Sequence, residues 1–193
     1  MKHTTWFSIL ALAALPLGIP ACSGPSKFVD PEADIPFYEV VGVMPFNSLA
    51  QDGAAGMRVA NVFFTELLER HFAQVVEPGQ FQAHIRDVRS GLPQDAPWST
   101  QDLAKLAEKA GVQGVFEGTV REYGIVQQGR DAVPVLSLEI HLVDATTGRV
   151  VWSASKTARG SAGVPILGIG KMHTMGELTS GVCRELLSTL PKG

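Results

Sequence analysis

The sequence predicts a mixed α/β domain whose elements run β-α-β-α-α-β-β-β-α, one sheet with helices packed on it. Three observations predict it. In the N-terminal half, short β-branched runs alternate with amphipathic stretches at three-and-four spacing. In the C-terminal half, three strand patterns follow one another, two of them joined by a turn of hairpin type. The chain has 193 residues, 45% apolar and 18% charged. That suits one domain with its own core and excludes wholesale disorder.

The elements follow in order. Residues 38–46 (YEVVGVMPF) read as a buried strand. Residues 56–71 are amphipathic, with Ala60, Phe63, Phe64, Leu67 and Leu68 as the apolar stripe and Glu66, Glu69 and Arg70 outside it. Residues 72–77 (FAQVVE) form a short strand, Pro78-Gly79 turns the chain, and 80–88 form a second, weaker helix. Ser99 with Asp102 makes an N-cap pair for a helix on Leu103, Leu106, Ala107 and Ala110, and Gly111 stands at its C′ position. Residues 114–123 are the next strand, and 124–133 a loop. In 134–144, Leu136, Leu138, Ile140 and Leu142 face one way and Ser137, Glu139 and His141 the other, so one face is buried and one is solvated or meets a neighbour. Residues 144–148 (DATTG) turn into the strand 149–158. Thr174 caps a last helix on Leu178, Val182, Leu186 and Leu190, which Pro191 stops.

The start of the chain reads as an address. Lys2 and His3 precede an uncharged run, 6–17 (WFSILALAALPL), too short for the ~20 residues of a spanning helix and of signal-peptide length. Residues 19–22 (IPAC) resemble a bacterial lipobox, with Pro20 an unusual occupant. The resemblance implies a signal peptide over 1–21 and a diacylglyceryl-modified, palmitate-bearing Cys22. Ser23, which is not aspartate, implies sorting to the outer membrane. The alternative is secretion with cleavage after Ala21 and a free thiol. Residues 22–37 then form a Pro-rich tether with about 50 Å of reach, and 38–191 the domain. With Cys22 acylated, Cys183 is the one remaining thiol, and beside the last stripe it reads as a small packed hydrophobe.

Several kinds of chemistry find no motif. The formal net charge of −3 gives no basic footprint for nucleic acid. His71, His84, His141 and His173 are not spaced as a metal pair, and no C-x-x-C or G-x-S-x-G occurs. Gly168-Ile-Gly170-Lys171 fails as a phosphate loop: Pro165 occupies the first glycine position and Met172 the Ser/Thr position. Glu117 with Glu122, or Asp131 with Asp144, have no fixed separation that would make a carboxylate pair. The sequence therefore predicts no catalytic, cofactor or metal site.

The loop 159–173 (RGSAGVPILGIGKMH) carries Val164, Ile166, Leu167 and Ile169 between glycines. Burying each large aliphatic is worth ~1.5–3 kcal/mol, so they pack on the domain's own sheet, on a neighbouring subunit, or into lipid. They are the candidate contact residues.

Four segments resemble the CsgG-like outer-membrane lipoprotein superfamily, which includes the curli secretion channel: 41–46 (VGVMPF), 75–77 with Phe81, 110–123 (AGVQGVFEGTVREY) and 142–152 (LVDATTGRVVW). Two membrane-spanning hairpins need about 40 extra residues, and neither 124–133 nor 159–173 supplies them. The resemblance is thus to relatives without those hairpins, such as the Pel exopolysaccharide lipoprotein or the activator lipoprotein of penicillin-binding proteins. It implies a non-enzymatic, lipid-anchored subunit on the periplasmic face of the outer membrane, serving export or envelope assembly. Its partners would be membrane lipid through Cys22 and copies of itself or an envelope protein. The alternative is a monomeric regulator docking on a cell-wall synthase.

Overall fold

A computed structural model describes residues 24–93, 96–161 and 174–191. The described elements are β1 (Ser26–Val29), a 3-10 turn (Ile35–Phe37), β2 (Val40–Val43), β3 (Asn47–Ser48), α1 (Ala55–Arg70), β4 (Gln74–Val75), α2 (Pro78–Val88), α3 (Thr100–Ala110), β5 (Gly114–Gln128), β6 (Asp131–Asp144), β7 (Val150–Arg159) and α4 (Met175–Ser188). Their strands make one mixed sheet in the order β1-β7-β6-β5-β2-β4, with β3 also on β5. β2 pairs in parallel with β4 and β5, and β3 in parallel with β5. The pairs β5–β6, β6–β7 and β7–β1 are antiparallel. The expected element order is present, with β1 and β3 added.

Two apolar clusters, one on each face, hold the layers together. On one face, α1 and α4 lie side by side: Val59, Phe63 and Leu67 meet Leu178, Val182 and Leu186 over Phe116, Leu138, Ile140, Leu142 and Trp152. On the other, α2 and α3 pack Phe81, Leu103 and Leu106 on Met44, Val115 and Val143. Gly42 is required there, because a β-carbon on it would lie 2.1 Å from Cζ of Phe81. Trp152 is fully buried, and its indole N–H donates to Oγ1 of Thr189 at 3.2 Å. The caps follow the sequence. Ser99 Oγ accepts from Asp102 N–H, Gly111 is left-handed, and Thr174 and Glu177 form a reciprocal capping box.

Four expectations are corrected. The stretch 26–37, read as tether, is part of the fold. β1 lies on the edge of β7, Ile35 is buried, and Asp30, itself buried, receives Arg149 Nη2 at 2.6 Å. Proline content suggested a tether, yet an edge strand needs only a few free backbone groups and one ion pair to hold it. The strand expected over 38–46 stops at Val43, where Pro45, having no N–H, interrupts pairing until β3. The stretch 124–133, read as a loop, continues the β5–β6 ladder as a hairpin arm turning at Gly129, whose φ is +66°. In α1 the buried set is Ala55, Gly56, Val59, Phe63, Glu66 and Leu67, while Leu68 is exposed. The helix is rotated because it serves both the sheet and α4, and Glu66 can turn inward because Arg184 of α4 grips both its oxygens at 3.1 Å.

Gly56 sets the seat of α1, since a β-carbon there would lie 2.0 Å from the backbone oxygen of Phe46. Ala for Gly in a helix ordinarily stabilises by roughly 0.5–1 kcal/mol. Here Gly56→Ala is expected to destabilise by about 1–3 kcal/mol through overpacking, read as a lower urea midpoint with an unchanged slope.

Candidate functional site

Helices α2 and α3 are too short to cover their face of the sheet. Past them, β5, β6 and β7 present alternate side chains to the outside, and these are polar. Register places Thr119 opposite Glu139, Glu139 opposite Ser155, and Ser137 opposite Thr157. Ser137 Oγ and Thr157 Oγ1 are 2.8 Å apart. Arg121, displaced by a bulge in β5, pairs with Glu139, which also takes His141 Nε2 at 3.1 Å. The Arg121 guanidinium holds the Glu139 carboxyl below the usual carboxylate range. A hollow of about 510 Å³ lies over this ladder, lined by Gly24, Ser26, Arg121, Ser137, Glu139 and Thr157 among others. The solvated face expected on 134–144 is therefore found, with Ser137, Glu139 and His141 on it.

Where the open face meets α2 there is a cleft of about 980 Å³. Gln82, Ile85, Arg86 and Arg89, one face of α2 and its C-cap, form a wall, and Trp98 and Leu103 another. Arg89 lies over the Trp98 ring at 4.9 Å from its centre. Glu117, His141 and Val143 make the floor. The Glu117 carboxylate accepts no hydrogen bond among the described residues. Burial raises its carboxyl above the ordinary value, and the neighbouring His141 offsets this in part.

The other sequence candidates sit apart from this face. Asp144 anchors the turn to β7. It accepts from the N–H groups of Thr146 and Thr147 and from the Tyr38 hydroxyl at 3.0 Å. Burial opposes its ionisation, but these bonds prevail and its carboxyl stays low, while burial and that same carboxylate push the Tyr38 hydroxyl up. Glu117 and Glu122 are separated by the β5 bulge, and Asp131 and Asp144 lie at opposite ends of β6, so neither pair is brought together. His71 ends α1 in the left-handed region with its ring on the Glu69 carbonyl, His84 is on α2, and His173 lies outside the described residues. Cys183 is fully buried, and burial first, then Glu66, pushes its thiol up to about 12. Cys22, Val164, Ile166, Leu167 and Ile169 lie outside the described residues. Among the described residues no metal-holding group of three acidic, histidine or cysteine side chains occurs, and no helix is long and apolar enough to cross a membrane.

Sequence reading missed the cleft and the arm. Period-two alternation puts Glu117 on the same face as Val115 and Thr119, which was a usable signal. The approach of α2 and Trp98 was not, since it depends on the crossover.

No protein-family model matches the sequence, and no curated protein matches it. Solved structures do share the fold. The PelC dodecamer subunit from Paraburkholderia phytofirmans superposes with a TM-score of 0.60 at 18% identity, over 87% of this chain and 98% of that one. Lipoprotein GNA1162 from Neisseria meningitidis gives 0.57 at 22% identity, over 77% and 98%. The hypothetical protein CT253 from Chlamydia trachomatis gives 0.51 at 12% identity, over 79% and 95%.

Two measurements check this geometry. In a Cys22→Ser variant, Cys183 is expected to resist a thiol reagent until denaturant unfolds the chain; rapid native labelling would contradict its burial. Because the folded Glu117 carboxyl is raised, its ionisation costs stability as pH climbs from the unfolded value of about 4.3 through the folded one. Glu117→Gln should then melt like the wild type below pH ~4 and higher than it at neutral pH, as thermal scans across pH will show.

Proposed function

We propose that this chain is a lipid-anchored, non-enzymatic accessory subunit of an envelope-assembly or export system. Cys22, acylated, holds it on the periplasmic face of the outer membrane, and it works by assembling with copies of itself. The observation that carries the reading is the likeness of nearly the whole domain to a subunit of the PelC dodecamer. The four CsgG-like motifs support it by their placement: they fall on β2, on β4 into α2, on the end of α3 into β5, and on the turn from β6 to β7. The likeness to a second protein described as a lipoprotein agrees with the lipobox.

The position of β1 supports assembly at the membrane over action at a distance. The strand starts at Ser26, four residues past Cys22, so the chain between them can span at most about 14 Å. A domain held so closely cannot cross the periplasm to a distant synthase. The loop with Val164, Ile166, Leu167 and Ile169 leaves the end of β7 at Arg159, and we assign those aliphatics to the subunit contact or the lipid surface.

The test is metabolic labelling with palmitate, fractionation, and light scattering of the full-length, detergent-extracted protein. The expected result is a labelled membrane protein that runs as a discrete oligomer. Cys22→Ser should be unlabelled and soluble, and Ile166→Ser with Leu167→Ser should weaken the oligomer or the membrane retention. An unlabelled wild type would mean ordinary secretion with cleavage after Ala21. A labelled monomer would move the function to a monomeric regulator.

A further inference from the structure

We propose that the β5–β6 arm of one subunit seats in the α2-side cleft of the next, so that copies join arm into cleft. The inference rests on the self-association reading above and adds the surfaces that would carry it. Beyond the last rung shared with β7, Val135 opposite Arg159, the ladder of β5 and β6 runs on alone to Gln128 opposite Asp131. That is a hairpin arm of roughly 15 Å beside which no further strand pairs among the described residues, although Val133 within it is buried and Gly160 N–H still donates to the Pro134 carbonyl at 2.8 Å. Its stem exposes Ile125 and Val126, at 57% and 40%. Its tip carries adjacent opposite charges, Arg130 and Asp131, with no ion-pair partner among the described residues.

The cleft is the complement of that arm. It offers apolar surface from Ile85, Trp98 and Val150, and two charges of opposite sign: Glu117 on the floor, whose carboxylate has His141 beside it but accepts no hydrogen bond among the described residues, and Arg86 on the rim, which has no ion-pair partner among the described residues. Arg130 would meet Glu117, and Asp131 would meet Arg86. Lipid is the poorer occupant for the arm, because a charged tip beyond an apolar stem would have to enter the bilayer first. The arm cannot fill its own cleft. The cleft floor is at Glu117 and His141, the arm leaves the sheet beyond Val135, and these lie toward opposite ends of β6. A contact between two different surfaces of identical subunits is heterologous, and it closes as a ring or runs on as a filament.

Light scattering of the detergent-extracted full chain decides, with circular dichroism and melting to confirm that each variant folds. Wild type is expected to be an oligomer, and Ile125→Ser with Val126→Ser, Arg130→Glu, and Glu117→Arg are each expected to lose it. Mixing R130E with E117R in equal amounts should restore it, because each arm then finds an opposite charge in the other's cleft. Should E117R fail to fold, Asp131→Arg mixed with Arg86→Glu makes the same swap across the rim. A wild-type oligomer untouched by the arm variants overturns this inference and leaves self-association standing. Loss in the single variants without recovery on mixing also overturns it. A wild-type monomer removes both.

Discussion

The long antiparallel pairing of β5 with β6 is the constraint on which the rest depends. The ladder runs from Gly114 opposite Asp144 to Gln128 opposite Asp131, with a single bulge at Arg121. One face of it supplies Phe116, Val120, Leu138, Ile140 and Leu142 to the core under α1 and α4. The other supplies Val115 and Val143 to the smaller core under α2 and α3, then turns polar where the helices end. Because side chains alternate with period two, a one-residue slip would exchange those faces and put Glu117, Glu139 and His141 under α1. The bulge re-aims Arg121 toward Glu139, so the same irregularity that bends the strand also sets the charge pair of the open face.

The aromatic rings tighten this arrangement at one point. Phe116 meets Phe63 of α1 edge-on with centroids 5.2 Å apart, and Trp152 of β7 at 6.2 Å. Phe63 in turn meets Phe46, which Gly118 admits: a β-carbon there would come within 2.6 Å of the Phe46 ring. The stretch after β2 and the middle of β5 are thereby locked to α1 together, which explains why Pro45 can break the strand without loosening the sheet.

What the sequence made legible was local and periodic. The alternation in β6, the stripe of α4, the Ser99 and Thr174 caps and the Asp144–Gly148 turn are each decided by residues within a few positions of one another, and the structure has them as read. What escaped was decided by partners far along the chain. Glu66 looked like a solvated position because nothing near it announces Arg184. Residues 26–29 looked like a tether because their pairing lies on β7, more than a hundred residues away. The open sheet face could be read from Ser137, Glu139 and His141, but the cleft beside it could not, since α2, Trp98 and Glu117 are brought together only by the crossover to β5.

The pairing of β1 also changes what an anchor at Cys22 would do. A flexible tether lets a domain tumble and explore; a strand does not. Any pull from the N-terminus runs along β1 against its ladder with β7, from Ser26 opposite Ser155 to Val29 opposite Trp152, and then into Asp30, held by Arg149 at the far end. Trp152 sits at that last rung and is packed against Phe116, so the load passes directly into the main core. The same strand fixes direction. Read backward from Val29, β1 travels toward the end of β7 at Arg159, which is the end from which the β5–β6 arm projects and from which the chain leaves for the Val164–Ile169 stretch. A lipid on Cys22 would therefore attach at that same end of the sheet, four residues before β1.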